Sequence, residues 1–504
     1  MSWVSRRKFL HTSMGVAAGS ALANTALAQD VVVRVKAPEG AAADTSEATT
    51  AKAAASERLR IAVIGCGGRG DSHVSAFSAM KDAEVVALCD PDGARVGQYA
   101  HKVERRGGKT PKLVEDFREI LDDKSVDAVS IANQNHWHAL ATIWALQAGK
   151  HVYVEKPVSH NIFEGRRMVE FARHHKKVVQ AGTQRRSDAQ VERAMKFIHD
   201  GGIGKLQVAR ALCYKRRKSI GDTNAGQVLP SVHYGLWLGP APERPPQRQQ
   251  FHYDWHWQWD YGNGDLGNQG VHQMDVALWG VNQKQLPKYA QSIGGRFGYV
   301  DDGETPNTQI VFLDYGKEEP KVIFEVRGLE TGKVHNGGVG NIFYGTDGYV
   351  VVADGTPVAA YWPSGELKQT FEGDSGEGNH FANFVKAVKN NAAPRDVRGD
   401  VETGHIGAAL CHMGNISYRL GEEVAFDSSD TKNAFGSDRD GAEATARMIA
   451  HLKAQGVNLS ESKCRVGPRL EFDPKSERFV SNREANNLVS RDYRTPFVVP
   501  EKVV

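Results

Sequence analysis

The chain has 504 residues, of which 40 % are hydrophobic and 24 % charged, and its formal net charge is +3. That length accommodates two domains with substantial cores, and so small a charge excludes a protein organised around nucleic acid; a small-molecule partner is expected instead. The basic residues read as spread along the chain, and five cysteines (Cys66, Cys89, Cys213, Cys411, Cys464) without a CxxC spacing exclude a disulfide framework or a zinc knuckle, so no metal centre is expected.

At the N-terminus, "SRRKFL" (Ser5 to Leu10) precedes a weakly apolar run from Met14 to Ala23 and then "ALA" at Ala26 to Ala28. Twin arginine, short apolar region and small-residue cleavage site in that order resemble a twin-arginine export signal over residues 1–28. The run is too short for a spanning helix, so the expected location is periplasmic, with no membrane partner. Residues 29–57, rich in Ala, Thr, Ser and Glu, read as a linker or arm that could wrap a neighbouring subunit.

Folded sequence begins near Leu59. Short β-branched runs, "RIAVIG", "EVVALCD", "DAVSIAN", "HVYVEKP" and "VVQAGT", alternate with helical patterns. Strands separated by helices imply crossover units and a parallel sheet, giving an α/β Rossmann domain over 58–182. One intervening helix can be checked by spacing. Trp137, Leu140, Ala141, Trp144 and Ala148 share a face, and Gly149 stands where a C-terminal cap belongs.

"GCGGRG" (Gly65 to Gly70) follows the first strand and opens a helix, and Asp90 ends the second strand. In this context Gly65 makes a tight turn, Gly67 admits a pyrophosphate to the backbone, and Gly70 lets helix and strand pack closely, with Gly68 and Arg69 between them. Asp90 is suited to the adenosine ribose hydroxyls and repels a 2′-phosphate, favouring NAD. Arg95 lies near enough in sequence to soften that preference toward NADP.

Beyond residue 204 the pattern changes to longer strands, "KLQVARALCY", "YAQSIGGRFG", "TQIVFLDY", "KVIFEVRG" and "GTDGYVVVAD", with few helices between them. A C-terminal α+β domain over 183–425 with a large, mostly antiparallel sheet is expected. A late apolar helix spans about Thr403 to Leu420, and a polar C-terminal extension occupies 426–504. The open face of the second sheet makes a homo-oligomer the expected assembly.

Glu155, Lys156 and Pro157 close the strand "HVYV". Buried charges need partners and proline cannot donate to a ladder, so this triplet belongs where the strand enters a cleft. With the nucleotide motif in place, "EKP", "QNHWH" (Gln134 to His138) and "GTQRR" (Gly182 to Arg186) resemble the Gfo/Idh/MocA oxidoreductases, the family of glucose-fructose oxidoreductase and inositol dehydrogenase, over roughly 59–420. The resemblance implies Lys156 as catalytic lysine and Glu155 at the nicotinamide ribose. Asn133, Asn135, His138 and Gln184 would line the cofactor or its mouth. A lysine partly desolvated beside a cationic ring has its pKa lowered, and as a neutral amine takes the hydroxyl proton while carbon gives up hydride.

"WDYGNGDLGNQGVHQMDVALWG" (Trp259 to Gly280) is similar to the family's second signature. Asn268 and His272 are spaced to share a helical face with Asp275 nearby, and Asn268 stands where the dehydrogenases usually carry an aspartate. An amide cannot accept a proton, so His272 is left to orient or protonate a substrate oxygen, with Asp265 as a substitute acid. In "FHYDWHWQWD" (Phe251 to Asp260), strand alternation would align Trp255, Trp257 and Trp259, either as a platform for a sugar ring or as packing.

Free nicotinamide cofactor is not expected outside the cytoplasm, so an exported enzyme must carry its NAD(P) tightly bound and restore it within each cycle. The expected function is hydride transfer from a secondary alcohol of a sugar, glycoside or polyol. NAD-dependent, redox-neutral glycoside cleavage in the same site is the alternative, and a noncatalytic sugar-binding protein is the third reading.

Overall fold

The computed structural model describes residues 58–222, 226–374 and 376–503. The export segment 1–28 and the arm 29–57 lie outside the described residues. Strands β1 (Leu59–Ile64), β2 (Ala83–Cys89), β3 (Lys112–Val114), β4 (Ala128–Ile131), β5 (His151–Val154) and β6 (Val179–Ala181) form a parallel sheet in the order 3-2-1-4-5-6. Their apolar runs lack polar alternation because helices cover both faces: α1 (Gly68–Ser78), α2 (Gly93–Arg105), α3 (Arg118–Leu121), α4 (Asn135–Gln147) and α5 (Ile162–His174). Strand order reverses between β1 and β4, and a ligand crevice opens there, at the carboxyl ends of the strands.

Helix α4 is buried almost all round. One side covers the sheet, while His136 and Trp137 on the other meet Trp237 and the C-terminal Phe497. Gly149, at φ +76°, ends the helix as its spacing predicts.

The second domain follows α6 (Ala189–His199). It comprises β7 (Leu206–Tyr214), α7 (Tyr234–Leu238), α8 (Gly264–Gly267), α9 (Gly270–Val281), β8 (Tyr289–Gly295), β9 (Thr308–Asp314), β10 (Lys321–Arg327), β11 (Val339–Gly345), β12 (Tyr349–Ala353), β13 (Ala359–Tyr361), β14 (Leu367–Thr370), α10 (Glu377–Lys389) and α11 (Val401–Leu420). Its sheet runs β14-β13-β12-β11-β7-β10-β9-β8 and is antiparallel except where β7 meets β10. On β9, Val311 and Leu313 join a core that continues into the parallel-sheet domain, while Ile310 and Phe312 face the opposite side.

That opposite side corrects the reading of 426–504 as a polar tail and of the second sheet as simply open. β15 (Glu422–Ala425), α12 (Ser429–Lys432), α13 (Arg439–Ala454), β16 (Lys463–Val466), β17 (Leu470–Asp473), β18 (Arg478–Phe479) and α14 (Arg483–Asn487) are all ordered secondary structure. β16 and β17 share the edge of β8, and Met448 and Leu452 of α13 bury Ile310, Phe312 and Ile323. The polar look of this segment is that of an amphipathic helix laid on a sheet, with its charged face outward.

Candidate active site

The nucleotide end is built from backbone. Gly65, at φ +93°, would place a Cβ 2.5 Å from the amide of Asn133, and a Cβ on Gly70 would fall 1.8 Å from the carbonyl of Gly65. Only glycine fits either position. Gly67 precedes α1 without a side-chain cap, so the first-turn amides, including those of Gly68 and Arg69, remain available to a diphosphate. Asn133 Oδ1 is buried without a hydrogen-bond partner, in a crevice also lined by Gly65, Cys89, Pro91 and Gln134. An orphaned acceptor beside a glycine cradle fits a dinucleotide that brings donors.

Asp90 accepts from the amides of Cys66 (2.7 Å) and Asp92 (2.9 Å), yet burial raises its pKa to about 6. Ribose hydroxyls donating to the carboxylate favour its ionised form, so nucleotide binding should expel a proton near that pH. The affinity of nucleotide-free protein for NAD, measured calorimetrically, is expected to hold above about pH 7 and to weaken several-fold by about pH 5, with the slope lost in Asp90→Asn. Constant affinity across that range would remove Asp90 from the ribose site. The Arg95 guanidinium covers Gly67, where a Cβ would meet Nη1 at 2.1 Å.

A second wall closes the adenosine end. His233 N donates to Pro91 O (2.7 Å), Gly93 N donates to Ser231 O (3.1 Å), and His252 Nε2 pairs with Asp92 Oδ2 (2.9 Å). This clasp from the second domain has no signal in the sequence, because it joins residues far apart in the chain.

At the exit of β5, Glu155 is buried at 3 % exposure. Its Oε1 accepts from Arg69 Nε (2.8 Å), Gln184 Nε2 (2.9 Å) and His73 Nε2 (3.1 Å), and its Oε2 accepts from Lys156 N (3.2 Å). The His73 ring donates from Nε2 and accepts at Nδ1 from the Ser130 hydroxyl (2.7 Å). Burial alone would raise Glu155; Arg69, His73 and Lys156 outweigh it and hold the carboxyl well below the usual range. Any contact to a ribose therefore falls to the remaining capacity of Oε2.

Lys156 follows, joined to Pro157 by a cis peptide bond. Its Nζ donates to the main-chain oxygen of Asn268 (3.0 Å) and to Asn268 Oδ1 (3.4 Å). Burial, helped by Arg69, Lys215 and Arg217 against the opposing pull of Glu155, lowers its pKa from 10.5.

His138 is not at the mouth of the cleft. Buried at 1 % exposure, it sits between the carbonyls of Pro157 (2.6 Å) and Asn133 (2.9 Å) and braces the two turns. Asn135, at the start of α4, donates to Asn263 Oδ1 (3.3 Å).

The substrate side departs from the expected single helix face. Asn268 lies before α9, whose first turn carries His272, and Asp275 is engaged by Arg186 (2.9 Å) away from Lys156. The glycines at 264, 267 and 270 break the helix that the spacing suggested. Asn268 still reaches Lys156, through a turn. Asp265 is not a spare acid either, because Arg217 Nε holds both its oxygens (3.1 and 3.0 Å). Burial and Lys156 lower the His272 pKa to about 3, so its ring is neutral and suited to orienting a substrate oxygen rather than protonating it.

Residues Asp254–Trp257 form a 3₁₀ turn, not a strand, and the three tryptophans diverge. Trp255 packs with Trp237, Phe251 and Tyr261, Trp257 lies against the Arg217 guanidinium (5.1 Å), and Trp259 against Arg419 (5.2 Å). In the turn His256 lies with the tryptophans instead of opposite them: it stacks on Trp255 (3.7 Å), pairs its Nδ1 with Tyr253 O (2.5 Å), and is lowered to about 3 by burial with Lys156 and Arg217 nearby.

A doubly wound sheet with a glycine cradle at its switch point, and a desolvated lysine two residues beyond the end of β5, together form the frame of a dinucleotide site. Residues 59–183 match the NAD-binding Rossmann fold of the Gfo/Idh/MocA oxidoreductase family, and residues 189–287 match that family's C-terminal alpha/beta domain. A myo-inositol 2-dehydrogenase of Thermotoga maritima is 30 % identical over 152 residues, 30 % of this chain and 44 % of that one. A glycosyl hydrolase family 109 protein of Akkermansia muciniphila is 30 % identical over 112 residues, 21 % of this chain and 23 % of that one. The chain thus spans less than half the length of these relatives. A levoglucosan dehydrogenase solved with NADH shares the fold, with TM-score 0.53 and 18 % identity over 71 % of this chain and 97 % of that one.

Proposed function

We propose that the chain oxidises a secondary alcohol of a sugar, glycoside or polyol with a tightly held NAD(P). The observation that carries this reading is Lys156: a desolvated amine fixed by Asn268 at the exit of β5, beside the Glu155 hub. Gly65, Gly67, Gly70, Asn133 and Asp90 would hold the dinucleotide, whose nicotinamide supplies the hydride acceptor when bound. Lys156 takes the hydroxyl proton at Nζ, and His272 and His256, both neutral, orient oxygens around it. The clasp over Asp92 supports slow release of the nucleotide, and the twin-arginine order at Ser5–Leu10 supports export to the periplasm with the cofactor already in place. A homo-oligomer paired through the part of the second sheet that α13 leaves uncovered belongs to the same proposal.

Redox-neutral glycoside cleavage is the second reading. Asn268 favours it, since an amide replaces an acid in the relay, and so does the likeness to the glycosyl hydrolase family 109 protein. Transient oxidation to a ketone would acidify the neighbouring C–H and permit elimination.

The test is to purify the protein, denature it and identify released nucleotide by mass spectrometry. Roughly stoichiometric NAD or NADP is expected, after which keto sugar or free aglycone separates the two chemistries. A protein that carries no nucleotide and binds none when it is added would overturn both in favour of sugar binding alone.

A further inference from the structure

The substrate end of the cleft gathers more positive charge than the proposed proton transfer uses. β7 runs directly into four consecutive basic residues, Lys215, Arg216, Arg217 and Lys218, against the expectation of scattered basic residues. Two of these four meet Lys156 on a single turn. Lys156 Nζ is bound to Asn268 (3.0 Å), Lys215 Nζ to Oε1 of the adjacent Gln269 (3.3 Å), and Arg217 to Asp265 three residues earlier (3.0 Å). The turn from 265 to 269 meets these three cations with one carboxylate, Asp265. Arg69, the other cation near Lys156, is already matched by Glu155 and Glu377. His138, His256 and His272, imidazoles within electrostatic reach of Lys156, are all lowered by burial and add no positive charge.

Arg217 is also held as a fixed receptor. Asp265 takes the edge formed by Nε and Nη2, Tyr253 Oη accepts from Nη1 (3.1 Å), and Trp257 backs the plane (5.1 Å). Nη1 and Nη2 each keep a second N–H for a ligand, and a planar fork of donors suits a carboxylate or phosphate. A neutral sugar would leave the Lys215 ammonium with the Gln269 amide, while Glu155, the carboxylate acting on Lys156, is shared with Arg69, beside a ring that is itself cationic when oxidised.

We infer that the substrate is an acidic sugar or glycoside, its carboxylate or phosphate received by Lys215 and Arg217 while Lys156 engages the hydroxyl to be oxidised. The inference rests on the proposed sugar oxidoreduction and is tested separately from it. Binding to the purified holoprotein is measured by calorimetry with matched pairs: D-glucuronate against D-glucose, D-galacturonate against D-galactose, and D-glucose 6-phosphate as the phosphate probe. One acidic probe is expected to bind about tenfold or more tighter than its neutral partner, as charge-assisted hydrogen bonds would give, with the advantage shrinking as salt is raised. Which probe wins distinguishes carboxylate from phosphate.

Lys215→Met is expected to lose most of that preference and Lys215→Arg to retain it. Lys215 is exposed, so neither change threatens the fold. Where turnover follows, the same substitution should raise KM for the acidic sugar more than it alters kcat, and should move the acidic limb of the pH profile upward because a cation beside Lys156 has gone. Equal binding of every acidic and neutral pair, or a preference unchanged in Lys215→Met, overturns the inference. Failure of every probe to reduce bound nucleotide would instead count against the oxidoreductase reading, while the binding comparison still decides the charge preference.

Discussion

Replacing Lys156 with methionine is expected to lower kcat by about 10³-fold, within the range for loss of a positioned general base, while leaving bound nucleotide in place. Methionine keeps most of the packing volume at the exit of β5, and the group it orphans, the main-chain oxygen of Asn268, sits in a turn rather than a regular element. Single-turnover reduction of the nucleotide by a competent sugar is the measurement, with thermal stability as the control for folding. The pH profile carries the mechanistic content. Burial and the charges of Arg69, Lys215 and Arg217 place the wild-type amine below the ordinary 10.5, so activity should rise as pH climbs through that lowered value. In Lys156→Met the rise should vanish along with most of the rate. A variant that turned over at the wild-type rate, or a residual rate with the same acidic limb, would mean that another group takes the proton.

The parts of this site that were legible in the sequence are those set by local backbone chemistry. Gly65 and Gly70 are glycines because a Cβ would strike backbone at either position, and Gly149 ends α4 because the chain turns left-handed there. Such demands leave a residue type at a fixed offset, and the family resemblance added the expectation placed on Lys156. What stayed hidden depends on distant segments meeting. The His73–Glu155 pair, the clasp of His252 on Asp92 and the pairing of Arg217 with Asp265 each join separate elements. No spacing in the sequence encodes them. The misplaced helix face at Asn268 has a different origin: a four-residue spacing was read across the break between α8, which ends at Gly267, and α9, which begins at Gly270. The tryptophan stretch shows the same limit, since a period of two over ten residues is satisfied by chance in a loop whose rings are each claimed by a different neighbour.

Glu155→Ala is expected to be the most damaging change to stability at the site. The substitution removes the acceptor for Arg69 Nε, His73 Nε2 and Gln184 Nε2 at once, and breaking such a buried pair by deleting one partner costs about 3–5 kcal/mol. Arg69 is one-third exposed and can lean on Glu377, to which its Nη1 already donates (2.6 Å), so a loss near the lower end, about 3 kcal/mol, is expected from denaturant unfolding. The pH dependence fixes the cause. A carboxyl held well below its unfolded pKa contributes stability that is fully present above that unfolded value, about 4.3, and is lost as pH falls toward the folded one. Wild type should therefore lose an increment of stability on acidification that the variant has already lost at neutral pH, and the two curves should converge in acid. The conservative Glu155→Gln separates structure from catalysis. It keeps the shape and one acceptor, but withdraws the negative charge beside Lys156 that raises it, so the acidic limb of the rate profile should move to lower pH, opposite to the shift expected from Lys215→Met. Opposite shifts from two substitutions that never touch the reacting carbon would place the working proton on Lys156; a limb that stayed fixed in both would place it elsewhere.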